Sequence, residues 1–307
     1  MILVTGGSGF IGRYLVKKLI RMGEDVRVLV RRRMPGEEVE VAFGDVTDRD
    51  SVKKAFDGVD KVYHLAAIFR HGINPEEIWR VNYHGTKNVV KEALRKNARL
   101  LHVSTVGVLG YANSRPLNES TPFNPNPNAY SRSKAKAEQE VLEMQKRGLD
   151  SVIVRPAFVY GIGSRYGLNL LIEMVVKGRL RWIIGDGRNY IHPVHVEDLV
   201  GALITVMEHG KDKIYIAANE EPIMLRKLLD LAAKYSGVKL RYGFPAKLAY
   251  LILKIRGGVG GSTATETISL FTKNWFYQVD RLKALNWRQK VDIEMGIKAT
   301  VEWVMTG

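Results

Sequence analysis

Solid apolar runs and amphipathic stretches alternate along the first half of the chain, divided by glycine, proline and aspartate. Residues 1–5 form a run without polar alternation, the pattern of a strand buried on both faces. Glycines then lead into 10–20, where apolar positions recur every three or four residues and predict a helix. Further strands are expected at 25–30, 39–43, 59–67, 99–104 and 151–155, with helices over 78–94 and 129–145. Strands and helices alternating at this spacing imply an α/β fold with a doubly wound parallel sheet. Beyond 160 the alternation fades; a helix ending at 207 and helices near 224–235 and 293–305 belong to a smaller α+β unit. The expected division is a nucleotide-binding domain over 1–160, rejoined by 188–216, and a mainly substrate-binding domain over 161–307.

The turn after the first strand carries the first chemistry. Gly6 permits a tight turn, Gly9 lets the backbone approach a pyrophosphate, and Gly12 lets the helix that starts at Phe10 and Ile11 lie against the sheet. The N–H groups of that helix's first turn then face the anion. Strand two ends at Arg31, where an acidic residue would hold the ribose 2′-hydroxyl of NAD; an arginine there suits the 2′-phosphate of NADP, with NAD as the alternative. Asp45 and Val46 follow strand three, with Asp45 placed to reach an adenine edge or simply to cap a helix. Strand four ends in Leu65, Ala66 and Ala67, small enough for a cofactor to pass close, and Asn82 lies near the start of the next helix. His64 reads as a packed strand histidine.

Ser104 and Thr105 sit at the end of strand five, where side chains of such sheets do chemistry. A proline-rich loop over 113–128 leads to Tyr130 and Lys134, four apart and so on one helical face. His192, His195 and Asp198 have a spacing compatible with a metal but lack a clear ligand set, so no metal is expected.

Composition narrows the options. With 46% hydrophobic residues the 307-residue chain can bury a large core, and the absence of cysteine excludes disulfides and thiolate chemistry. The net charge of +15 is scattered along amphipathic helices, without the aromatic-basic interleaving of nucleic-acid binders, so no nucleic-acid partner is expected. No secretory pattern precedes the first strand, which makes the expectation a cytoplasmic protein. The apolar stretch 244–256 is too short to span a bilayer; it could lie on a membrane surface, but the expectation is that it packs in the substrate domain and that the protein has no membrane partner.

Together Gly6 to Gly12, His64 to Ala67, Tyr130 to Lys134, Arg155-Pro156 and His195 to Asp198 resemble the extended short-chain dehydrogenase/reductase family over essentially the whole chain. The resemblance implies a Rossmann-type fold, a catalytic triad of Thr105, Tyr130 and Lys134, cofactor contacts that include Ser104 and Pro156, and pairing of two copies as a homodimer. Sugar 4,6-dehydratases carry an Asp-Glu pair after the threonine; Val106-Gly107 stands here. Ile191 occupies the place of an arginine that nucleotide-sugar epimerases use on the diphosphate, although Arg188 or Arg165 could substitute. The runs 104–110 and 279–287 look more like the dihydroflavonol-reductase-like and sterol-dehydrogenase-like branch.

The resulting expectation is an NAD(P)-dependent oxidoreductase acting on a small molecule, with a nucleotide-sugar epimerase that retains NAD as the alternative. Tyr130 would carry the proton, Thr105 hold the substrate oxygen, and Lys134 lower the Tyr130 pKa and bond the nicotinamide ribose. A non-catalytic scaffold has no need of an intact Thr105, Tyr130 and Lys134.

Overall fold

The computed structural model describes residues 1–32, 39–69, 72–112, 115–256 and 261–306. In chain order its first elements are β1 (Ile2–Thr5), α1 (Phe10–Arg21), β2 (Val26–Val30), β3 (Glu40–Phe43), α2 (Arg49–Ala55), β4 (Lys61–His64) and α3 (Pro75–Trp79). A π-helical turn (Arg80–Gly85) joins α3 to α4 (Thr86–Lys96), followed by β5 (Arg99–Val103), α5 (Ala129–Lys146), β6 (Ser151–Pro156) and β7 (Phe158–Tyr160). Then come α6 (Leu168–Val176), β8 (Trp182–Ile184), β9 (Tyr190–Ile191), β10 (Pro193–His195), α7 (Val196–His209) and β11 (Ile214–Ala217). The remainder is β12 (Ile223–Met224), α8 (Leu225–Ser236), β13 (Arg241–Phe244), α9 (Ala246–Arg256), α10 (Gly261–Thr272), α11 (Asp280–Ala284) and α12 (Ile293–Thr306).

Seven strands form one parallel sheet in the order β11-β6-β5-β4-β1-β2-β3. The solid apolar runs follow from burial on both sides. On one face Val4, Val28, Leu101 and Val154 meet Leu15, Val16 and Leu19 of α1 and Leu203 and Val206 of α7. On the other, Leu3, Val62, Leu100 and Ile153 meet side chains of α2, α4 and α5. Asp48 caps α2 by accepting from the N–H groups of Asp50 and Ser51, and Asn128 caps α5 by accepting from Ser131 N at 2.6 Å. Successive strands are added outward in opposite directions from β1 and β4, so a crevice opens between them at the carboxyl ends of the strands.

Two elements differ from the pattern reading. The strand expected over 59–67 is confined to Lys61–His64, because the next residues leave the sheet and cross the glycine turn, with Leu65 N still donating to Thr5 O at 3.1 Å. The helix expected over 78–94 starts at Pro75 and contains the π-helical turn, a widening that often accompanies functional sites. Asn113, the first residue of the proline-rich loop expected over 113–128, lies outside the described residues.

A separate core gathers Leu171, Ile172 and Val175 of α6, Leu228 and Leu229 of α8, and Ile297 and Val301 of α12 around Ile183 and Ile191. Helix α9 adds buried Ala249 to it, but Leu248, Leu251, Ile252 and Ile255 are exposed. The expectation that 244–256 packs into this unit therefore fits one side of the helix only, the side turned to α10 and the cluster around it.

Candidate active site

The crevice is built from close backbone contacts. Gly6 adopts φ 74°, and a Cβ there would lie 2.6 Å from Ala66 N, so the turn passes directly under the end of β4. A Cβ on Gly12 would meet Gly6 O at 2.2 Å, which explains how tightly α1 seats on its turn. Gly9 is the N-cap of α1 without a side-chain cap, and the first turn has no acidic residue. These features suit an anion such as a pyrophosphate. Ile11 packs on the sheet core, while Phe10 stands edge-on to Tyr14 at 5.9 Å and approaches Gly163. Tyr14 donates to Ile162 O at 2.9 Å, tying residues 161–167 over the turn.

Arg31 is exposed at the end of β2. Asp45 accepts from Thr47 N at 2.9 Å in an Asx turn, and buried Val46 fills the space beside Gly85, where a Cβ would come within 2.7 Å of it. Leu65 and Ala66 are half-buried and Ala67 exposed. Asn82 is buried, accepts from Ile68 N at 2.7 Å and donates to Ile68 O and Ser133 Oγ, so it fixes the chain after β4 to α5. Pro156 closes β6 opposite Ala217, on the far side of β5 from the glycine turn.

Under this segment runs a hydrogen-bond chain. Thr86 Oγ1 donates to Asn82 O at 2.6 Å, so it accepts from His64 Nε2 at 2.9 Å; His64 Nδ1 then accepts from Thr5 Oγ1 at 2.6 Å. Burial lowers the His64 pKa to about 3, and the imidazole is neutral. His64 is thus a brace between β1, β4 and α4.

At the end of β5 neighbouring residues go separate ways. Ser104 donates to Glu138 Oε2 at 2.6 Å, within a buried cluster where Arg155 grips Glu138 through Nη2 at 2.6 Å and Nε at 3.0 Å. Thr105 Oγ1 accepts from Gly107 N at 3.1 Å and is hydrogen-bonded to the Tyr130 phenol. Gly107 allows this approach, since a Cβ would stand 2.9 Å from Ser131 Oγ at the start of α5. The Tyr130 ring packs on Phe69, centroids 4.7 Å apart, and a Cβ on Gly167 would sit 3.7 Å from that phenylalanine. Residues 161–167 thereby run from the glycine turn to the tyrosine, with Ile162 and Tyr166 exposed along the way.

Lys134 is 2% exposed; its Nζ donates to Val103 O at 2.6 Å and lies 3.4 Å from His102 Nε2. Burial lowers the Lys134 pKa to about 7, with Glu138 opposing that shift. His102 is held well below its ordinary pKa by burial, Lys134 and His64, and its Nδ1 has no hydrogen-bond partner among the described residues. Burial pushes Tyr130 up to about 12, partly offset by Thr105. The expected lowering of Tyr130 by Lys134 is not found, because the ammonium turns toward Val103 and His102 and is itself weakened by burial. His102, Ser133 and Phe69 were missed by pattern reading; only the alternation of β5, which turns His102 to the opposite face from Leu101, hinted at one of them.

His192, His195 and Asp198 do not converge. His192 bonds Asn219 O at 2.7 Å and accepts from Tyr277 N at 3.2 Å, while Asp198 accepts from Lys290 N and Val291 N. Among the described residues no group of three His, Asp or Glu side chains is placed to hold a metal.

Residues 2–218 match the NAD dependent epimerase/dehydratase family. The chain is 34% identical over 251 residues to a 4-hydroxy-2-methyl-3-oxo-4-farnesyl-3,4-dihydroquinoline-1-oxide ketoreductase of Stigmatella aurantiaca, covering 78% of this chain and 74% of that one. It is 39% identical over 234 residues to sterol demethylase protein B of Methylococcus capsulatus, covering 71% and 69% respectively. The crystal structure of gox2253 superposes with a TM-score of 0.86 at 26% identity over 100% of this chain and 98% of the other. With the glycine turn and the seven-stranded parallel sheet, these matches make the chain an enzyme of the NAD-dependent epimerase/dehydratase family, within the extended short-chain dehydrogenases/reductases.

Proposed function

We propose that the protein interconverts a ketone and a secondary alcohol on a bulky apolar substrate, as a reductase of the dihydroflavonol-reductase-like branch with a preference for NADP. The observation that carries this reading is the apolar surround of Tyr130: Phe69 packs against its ring at a tilt, and Ile162, Tyr166 and Leu170 are exposed along the segment that reaches it and the helix that follows. The farnesyl- and sterol-related names of the two relatives point the same way. Ile191, at the place of the epimerase arginine, is buried in the core, where it cannot reach a diphosphate. An epimerase retaining NAD is the reading this disfavours.

Residues 1–160 with 188–216 are assigned to the cofactor and 161–307 mainly to the substrate. Gly6, Gly9, Gly12 and the α1 N-terminus would hold the pyrophosphate and Arg31 the 2′-phosphate. The nicotinamide, when bound, supplies or removes the hydride. The rest falls to this chain. Tyr130, protonated through neutral pH, donates its phenolic proton to the carbonyl oxygen during reduction and takes it back during oxidation; Thr105 steadies that oxygen. Lys134, one turn further along α5, would bond the nicotinamide ribose and complete the proton relay behind Tyr130. Dimer formation through α4 and α5 completes the proposal.

The test is NADPH consumption with prenylated or polycyclic ketones. Tyr130→Phe should lower turnover by about 10²–10⁴-fold while NADPH binding persists. Undiminished turnover would sink the mechanism, and NAD released only on unfolding would favour the epimerase. Arg31→Ala should weaken NADPH far more than NADH.

A further inference from the structure

On α9, Leu248, Leu251, Ile252 and Ile255 are spaced i, i+3, i+4 and i+7 and form one stripe along the helix. Such a stripe normally faces a core; here it faces outward, with exposures of 46, 51, 38 and 72%. The helix is held from its other side, where Ala249 and Ala246 join the apolar cluster that takes in Ile268, Leu270 and Phe271 of α10, the helix packed against α9. Lys247 and Lys254, seven residues apart and both exposed, flank the stripe on one edge, and the helix has no acidic residue. The strand pair leading into α9 adds Trp182, 51% exposed, with Arg241 stacked on its ring at 5.2 Å.

We propose that α9 docks the protein on an anionic lipid surface, with its aliphatic stripe in the headgroup boundary and Lys247 and Lys254 against the phosphates. Apolar side chains on one face, lysines beside them and an exposed tryptophan nearby are the features of a helix that lies in a membrane interface. The helix is too short to span a bilayer, and no helix among the described residues is long and apolar enough to do so. Charge selects this occupant over a second copy of the chain. Two copies meeting through α9 would bring Lys247 and Lys254 close to their own kind, whereas anionic lipid complements them. Four aliphatic side chains also fall short of the roughly 800 Å² per partner of a stable protein interface. Binding is weak and reversible, because one short stripe buries little apolar area.

The test is cosedimentation of the full chain with vesicles of phosphatidylcholine alone or mixed with phosphatidylglycerol. The proposal expects capture by the mixed vesicles, decreasing with salt, and much less by phosphatidylcholine alone. Leu251→Glu with Ile255→Glu should reduce capture at least tenfold without shifting the thermal midpoint, since both side chains are already in water. Lys247→Gln and Lys254→Gln should each weaken capture about fivefold on the mixed vesicles. No capture by anionic vesicles, or equal capture of the double glutamate variant, overturns the proposal. So does a dimer in sedimentation velocity that the same variant dissociates, which would assign the stripe to a second copy.

Discussion

Glu138 and Lys134 stand one turn apart on α5, both shut away from water, and their surroundings differ in how completely they answer the charge. Glu138 receives two guanidinium nitrogens of Arg155 and the Ser104 hydroxyl, and Arg155 also reaches Glu119 O at 3.2 Å. Lys134 has one carbonyl and, farther off, a neutral histidine whose second nitrogen has no hydrogen-bond partner among the described residues. A matched buried charge holds elements together; an under-matched one, here Lys134, has its pKa lowered to about 7 by burial. The first group ties β5, α5 and β6 into one frame, and the second stands one turn along α5 from Tyr130.

Breaking the matched pair should produce the largest change in stability. Arg155→Ala leaves Glu138 buried and unpaired, and should cost about 3–5 kcal/mol in denaturant unfolding. A loss below about 1 kcal/mol would mean that water reaches the cluster.

Removing the under-matched charge should do the reverse. Lys134 binds its proton less readily folded than unfolded, so the wild type gains stability as pH rises from about 7 toward the unfolded value of about 10.4 and bears the full cost below 7. Lys134→Met should therefore raise the thermal midpoint most at pH 6, with the gain shrinking toward pH 10, while turnover collapses. A variant less stable than the wild type at pH 6 would show that the Val103 contact outweighs desolvation.

The tyrosine sharpens the contrast from the functional side. Burial keeps Tyr130 protonated up to about 12, so ketone reduction should hold steady through neutral pH, and alcohol oxidation should climb as pH approaches 10. Oxidation that is flat between pH 7 and 10 would require a phenolate already formed. The smallest effect is expected from Ser104→Ala, which removes one hydroxyl from the matched cluster: about 1–3 kcal/mol of stability, with turnover per folded molecule unchanged. A selective loss of turnover would move Ser104 into the reaction.

The glycine turn, the strand-helix alternation and the Tyr130-Lys134 spacing were legible in the sequence because each depends on local geometry. A tight turn needs glycine, a strand covered on both faces needs an unbroken apolar run, and four residues make one helical turn. The direction in which side chains point afterwards depends on what the rest of the chain brings beside them. Ser104 and Thr105 look interchangeable in sequence, and only the packing of α5 on β5 gives one to Glu138 and the other to Tyr130. Lys134 reads as a cation; burial beside His102, an arrangement between residues far apart in sequence, is what shifts its pKa. The stripe of α9 shows the same limit, since its period marks an amphipathic helix and cannot say which way that helix faces. Periodicity along the chain thus determined the elements and the candidate chemistry, while long-range contacts set the electrostatics and orientation, because free energies of burial belong to neighbours in space.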